Sequence, residues 1–222
     1  MNCELTRVQK LIGERMAESK LSKPCFYIES KADVTELMGL RPKLRKSLGV
    51  KITTNAFYIR ALALATQKYP LVMGKLDGNT IKIADRINVG FAVNTSRGPL
   101  VPVIKAADKK TLAEIARLEK VLTEKARSNK LTLEQMEGET IALSNLGVYG
   151  IDSFVGIVPP PASTILAVGN IIRTVTAQNG NFRVRKKVSL TLAVDRRVID
   201  EVYAAEFLNF ITEQLSHCQR LL

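Results

Sequence analysis

The chain has 222 residues, 46% of them hydrophobic, enough to bury one substantial core as a single domain or a closely joined pair. A net charge of +12 admits an anionic partner, but the basic residues are scattered and aromatics are only 5%, so a solvated basic surface is expected rather than nucleic-acid binding. No apolar run reaches about eighteen residues, the start lacks a secretory leader pattern, and Cys3, Cys25 and Cys218 have neither disulfide-framework nor metal-ligand spacing, which excludes a membrane span and a cysteine scaffold and points to a soluble intracellular protein with reduced thiols.

Leu5 to Lys20 carries Thr6 and Gln9 at capping-box spacing and Val8, Leu11, Ile12 and Met16 at helical spacing, predicting an amphipathic docking helix. After Lys23-Pro24-Cys25, alternation through Phe26, Ile28, Ser30 and Ala32 predicts a strand. Asp33-Val34-Thr35-Glu36-Leu37 opens a second helix to about Ser47, and its basic series Arg41, Lys43, Arg45 and Lys46 reads as a solvated face. Residues 50–54 are extended and lead to a third helix, Asn55 to Lys68, capped by Thr54, whose Ala56, Ala61, Ala63 and Ala65 permit close packing. Asp77-Gly78 marks a hairpin turn.

Ile87 to Val93 and Leu100 to Ile104 read as strands joined through Asn94-Thr95-Ser96-Arg97-Gly98-Pro99. Thr111 starts a helix from Leu112 to Arg127, with Leu112, Ile115, Ala116, Leu118 and Leu122 as its core stripe. Glu139 to Ser144 is a further strand, and Pro159, Pro160 and Pro161 interrupt sheet pairing because proline has no N–H to donate. Ile165 to Arg173 and Phe182 to Ala193 are strands joined through Asn179-Gly180. The alternation from Ser189 to Val194 delivers Asp195, Arg196 and Arg197 to the start of a last helix, Glu201 to Leu215, with Val202, Ala205, Phe207 or Leu208, and Ile211 facing inward. Charge grouped this closely with Asp200 beside a buried strand must be paired, in a structural or a functional polar site.

Three separated blocks then resemble the acyltransferase core of 2-oxo acid dehydrogenase complexes, a family related in fold to chloramphenicol acetyltransferase. Ile87 to Ile104 resembles its V-A-V-D-T-x-R-G-L-x-V-P-V-I segment. Ser144-Asn145-Leu146-Gly147, Phe154, Ile157-Val158-Pro159-Pro160 and Ile165-Leu166-Ala167-Val168-Gly169 resemble its T-x-S-N-x-G…F…I-x-x-P-P-x-x-x-I-L-A-V-G block. Asp195 to Glu201 resembles its D-H-R-V-x-D-G motif, except that Arg196 stands at the histidine and Glu201 at the glycine. Cys25 likewise stands where the family commonly has the histidine of P-H-F.

The resemblance runs from about Leu5 to Leu222 and implies a single domain, 1–222, with the two-layer α/β sandwich of chloramphenicol acetyltransferase, a mixed sheet and trimers with active sites between neighbouring subunits. In the family such trimers build cubic or dodecahedral cores, with lipoyl and peripheral subunit-binding domains on N-terminal extensions that this sequence does not contain. The implied substrates are coenzyme A, as acyl-CoA, and a lipoyl group, with no metal. The implied partners are further copies, other components of the complex and an active acyltransferase paralogue, in a mitochondrial matrix or a bacterial cytoplasm.

Acyl transfer between the thiols of coenzyme A and dihydrolipoamide needs a base to take the thiol proton and a donor for the oxyanion. The resemblance places the base at position 196, the hydroxyl donor at Ser144 and a turn-holding carboxylate at Asp200. A guanidinium stays protonated and cannot be the base, so impaired transfer with a retained assembly role is expected, as in protein X-type subunits. Two alternatives stand beside it: a working transferase, with Arg196 lowering a thiol pKa or a base taken from elsewhere, and a module that binds coenzyme A or an acyl thioester without transfer. For the coenzyme the resemblance points to Arg41, Thr53 and Asn94, the last at the family's aspartate. Structural readings compete: Arg41 as solvated charge, Thr53 as strand end, Asn94 as turn former, Ser144 as a hydroxyl serving local backbone. His217 reads as a surface histidine and Cys25 as a buried, inert thiol.

Overall fold

The computed structural model describes residues 4–96, 98–178 and 180–222; Cys3, Arg97, Asn179 and the Val8 side chain, which figure above, lie outside the described residues. The chain runs α1 (Arg7–Ser22), β1 (Cys25–Asp33), α2 (Thr35–Leu48), α3 (Thr54–Lys68), β2 (Gly74–Asp77), β3 (Thr80–Ile83), β4 (Val89–Phe91), β5 (Val93–Thr95) and β6 (Gly98–Leu100). It continues with β7 (Val103–Ile104), α4 (Leu112–Arg127), β8 (Ile141–Asn145), β9 (Thr164–Gln178), β10 (Asn181–Asp195) and α5 (Glu201–Ser216).

One six-stranded sheet, ordered β1-β10-β9-β8-β4-β7, forms the first layer. The inner strands β9, β8 and β4 are parallel to one another, and the remaining pairs are antiparallel, so the sheet is mixed. Alternation decides its two faces. Ile141, Leu143, Leu166, Val168, Leu190, Leu192 and Val194 join the helices in the main core, whereas Ala142, Ile165 and Ala193 face the other way, under Val158 and Ala162 of the proline-rich loop. Helix α3 is buried almost all round, from Phe57 and Tyr58 to Ala65, as a helix wedged between a sheet and other helices must be. Each of its fully buried large side chains contributes about 1.5–3 kcal/mol of burial.

Several local expectations hold: the capping boxes of Thr6 with Gln9 and Thr111 with Glu114, the bounds of α4, and the β2–β3 hairpin with Gly78 at φ 58°. Others change. The cap of α3 is Thr53, not Thr54: its Oγ1 accepts from the Ala56 N–H at 3.0 Å. The expected strand 87–93 breaks at Ala92 and its partner at Val101-Pro102, because the chain leaves the main sheet there to form the separate β5–β6 ribbon. Strands β9 and β10 are 15 residues each, longer than expected at both ends. Val202 faces solvent, and Ala204 takes the inward place on α5. Of the described residues in the apolar stripe of α1, Leu11 is exposed and Ile12 and Met16 are half-buried; among the described residues of this helix only Ser19, whose hydroxyl donates to the Val158 carbonyl, is buried. Among the described residues, no helix is long and apolar enough to cross a membrane.

Candidate functional site

The parallel strands β4 and β8 end side by side, with Phe91 paired to Leu143, and the N-terminus of α3 meets the same end of the sheet. A crevice outside the carboxyl ends of parallel strands is where α/β sheets hold ligands. Here it is a cavity of about 550 Å³. Its polar lining includes Thr53, Asn55, Asn94, Glu119, Ser144, Asn145 and Tyr149, its apolar lining Phe91, Val93, Leu146 and Val148, and Arg127 adds a cation.

Each polar group is placed by the chain's own geometry. Ser144 follows buried Leu143 and leaves the sheet on the face opposite the helices. Asn145 ends the strand, where its Oδ1 accepts from the Gly147 N–H at 2.9 Å and its Nδ2 faces Asn55 Oδ1 at 3.5 Å. The turn that follows needs glycine: a Cβ on Gly147 would lie 2.2 Å from the Gly169 carbonyl oxygen, and one on Gly169 would lie 1.9 Å from that of Asp152. Beyond the turn Tyr149 accepts from Asn94 Nδ2 at 3.3 Å, tying the β5–β6 ribbon to the cavity rim.

Glu119 was not legible as a site residue. It lies on the core stripe of α4, between Ile115 and Leu122, and is 8% exposed. Its Oε2 accepts from the Thr53 hydroxyl at 2.6 Å, so Thr53 caps α3 with its lone pair and orients a buried carboxyl with its proton. Burial pushes the Glu119 carboxyl above its usual range; the Thr53 hydroxyl, the Asn55 amide and the Arg41 charge offset this only in part. A carboxylate at the 115/119/122 spacing was the available signal, masked by the habit of helix charges to be solvated.

The structure thus brings Thr53, Asn94 and Ser144 to one cavity. Arg41 does not line it: its Nε donates to the Ile52 carbonyl at 3.1 Å, and its charge acts on Glu119. Arg196 and Asp200 lie elsewhere. Ser144 is in register with Ala167 and, through it, with Thr191 on β10, so Arg196 is two strands across and five residues along, about 20 Å away by sheet spacing.

At that second place Asp195 is 2% exposed and receives Arg197 at both oxygens, 3.0 and 2.7 Å. Arg196 turns outward: its Nε is 2.7 Å from Glu201 Oε1, and half of its side chain remains accessible. Asp200 caps α5, accepting from the Tyr203 N–H at 2.8 Å. Cys25, opposite Asp195 in the sheet, is half-buried rather than buried; burial first, then the Asp195 charge, pushes its thiol up, away from the reactive thiolate. His217 is exposed at the end of α5. Among the described residues no group of three or more His, Cys, Asp or Glu is placed to hold a metal.

Known proteins match the whole domain. The family described as 2-oxoacid dehydrogenases acyltransferase (catalytic domain) matches residues 2–222. The dihydrolipoyllysine-residue acetyltransferase component of the pyruvate dehydrogenase complex of Rickettsia bellii is 35% identical over 205 residues, 90% of this chain and 49% of that protein. The mitochondrial pyruvate dehydrogenase protein X component of Mus musculus is 33% identical over 221 residues, 97% of this chain and 44% of that protein. The chain therefore spans about half the length of the curated relatives it matches. The solved cubic core of the pyruvate dehydrogenase multienzyme complex superposes with a TM-score of 0.95 at 30% identity, covering 100% of this chain and 93% of that one. Chloramphenicol acetyltransferase, at TM-score 0.54 and 13% identity over 97% of this chain and 100% of that one, shares the fold alone. With the mixed sheet, the S-N-L-G turn and the matched length in agreement, the chain belongs to the 2-oxoacid dehydrogenase acyltransferase family and carries its catalytic-domain fold.

Proposed function

We propose that this chain is an acyltransferase-type core subunit of a 2-oxo acid dehydrogenase complex in which transfer is impaired and core assembly retained. The observation that carries the reading is the Arg196–Glu201 pair. A guanidinium accepts no proton at ordinary pH, and this one is engaged with a carboxylate. Losing a positioned base lowers the rate by about 10²–10⁴.

The cavity supports a coenzyme A or acyl-thioester site, with Thr53 and Asn94 toward the coenzyme, Arg41 outside the lining and Ser144 as the oxyanion donor. The separation of Ser144 from Arg196 within one chain favours a site shared between neighbouring copies, as in a trimer or a larger core. Open apolar surface on α1 and at Val148, Tyr149, Ile151 and Val155 offers area for such contacts. Other components of the complex, and an active acyltransferase paralogue, are the partners this role implies.

A binding module without transfer is the second reading, favoured by the intact cavity. The deciding assay is acetyl exchange between acetyl-CoA and dihydrolipoamide with the unmodified protein and R196H, beside coenzyme A titration and size measurement. The proposal predicts slow exchange that R196H raises, in a multimeric core. Rapid exchange by the unmodified protein overturns the impairment, and a monomer at assay concentration overturns the assembly role.

A further inference from the structure

We infer that Glu119 is a ligand-contacting carboxyl of the Ser144 cavity, and that a neutral, hydrogen-bond-donating ligand segment binds there with release of a proton from it; this rests on reading the cavity as the coenzyme site. A carboxyl that is 8% exposed needs compensation, and the groups found around it are few. Thr53 donates to Oε2 at 2.6 Å and the Asn55 amide assists, while the Arg41 charge is the weakest of the influences favouring ionisation. An ionised carboxylate has about four acceptor sites, so two donors leave it under-satisfied on the side that lines the cavity.

The chemistry of the ligand follows from the gradient of charge. Exposed Arg127 puts a cation on the cavity, whereas Glu119 forms a buried part of its wall. A ligand with an anionic outer end and an inner arm carrying amide N–H, hydroxyl or thiol groups matches both. Among the described residues, the charged and titratable groups on the lining besides Glu119 are Arg127 from α4 and Tyr149 from the turn after β8, and the Arg41 charge from α2 acts on Glu119 from outside the lining; the start of α3 presents neutral Thr53, Thr54 and Asn55. Guanidiniums and phenols as classes do not change charge between pH 4 and 8.

A donor placed on Glu119 favours its ionised form. Binding therefore releases up to one proton, and affinity rises with pH from the ordinary carboxylate range to the raised value of the free protein.

The test is calorimetric titration of the intact protein with pantetheine, whose donors are neutral and do not titrate between pH 5 and 8, at pH 5, 6 and 7.5, in buffers of different ionisation heat. Expected is an affinity that rises from pH 5 to pH 7.5, together with buffer-dependent heat and a flat profile for E119Q. A flat profile for the unmodified protein, with coenzyme A still bound, overturns the inference and leaves the coenzyme site standing. Absence of binding by both coenzyme A and pantetheine at millimolar concentration overturns the site reading and the inference with it. Should E119Q fail to fold, T53V serves instead: loss of the 2.6 Å donor moves the midpoint to higher pH, and an unmoved midpoint overturns the inference.

Discussion

Arg196 and Glu201, the two positions at which the 195–201 turn departs from the family motif it resembles, are in contact with each other, Nε to Oε1 at 2.7 Å. The guanidinium is thus held along the start of α5 rather than left free. The Glu201 carboxyl is held below its usual range, first by its own backbone N–H at the helix start and then by Arg196. Its small contribution is present above the unfolded pKa and lost as pH falls through the lowered folded value. For E201Q we expect a slightly lower Tm than the unmodified protein at pH 7, a difference that closes toward pH 3, and no gain in transfer. Thermal melts across this range check it.

The neighbouring pair differs because Asp195 is buried. R197A leaves that carboxylate the residue-197 N–H, 3.1 Å from Oδ1, and about 1–3 kcal/mol of stability is expected to go, since part of the Arg197 side chain is exposed and its contribution is screened. R197K recovers only a fraction, because an ammonium lacks the fork that meets both oxygens. Urea unfolding of the two variants measures the difference.

Gly169 couples the sheet to the cavity. A methyl group there would lie 1.9 Å from the Asp152 carbonyl oxygen, so the Ile151–Asp152 backbone, which continues the turn carrying Leu146, Val148 and Tyr149 at the cavity, must shift. We expect G169A to lose about 1–3 kcal/mol and to weaken coenzyme A binding more than its stability loss explains. Titration below the variant's melting range separates the two effects.

Glu119 makes an opposite statement about pH. Its folded pKa is raised, so the folded state holds this proton more tightly than the unfolded chain, and the associated stability is present below the unfolded value and lost as pH rises through the folded one. E119Q is therefore expected to gain Tm relative to the unmodified protein as pH rises from 4.5 to 7.5. A constant Tm difference across that window contradicts the assignment of burial as the dominant cause.

What the sequence made legible follows from where the physics is local. The bounds of α4 were readable because a Thr111–Glu114 box starts the helix and a strict apolar spacing runs its length. The α3 cap moved by one residue because Thr53 and Thr54 are equivalent hydroxyls until Glu119, 66 positions away, selects one. The outer end of β9, beyond Arg173, was missed because Val175 stands exposed there, and without burial no in–out alternation marks a strand; its partner β10 was readable from Phe182 on. Thr53, Asn94 and Ser144 could be named from motif resemblance, but the distance from Ser144 to Arg196 depends on strand order, which no local pattern encodes.

The initial rate of acetyl transfer from acetyl-CoA to dihydrolipoamide, compared between the unmodified protein and the double variant R196H/E201G, tests the central claim most directly. Restoring both motif positions is predicted to raise the rate about 100-fold or more, with a pH dependence set by the new imidazole. Equal rates for the two proteins, with the unmodified one already fast, would contradict the account.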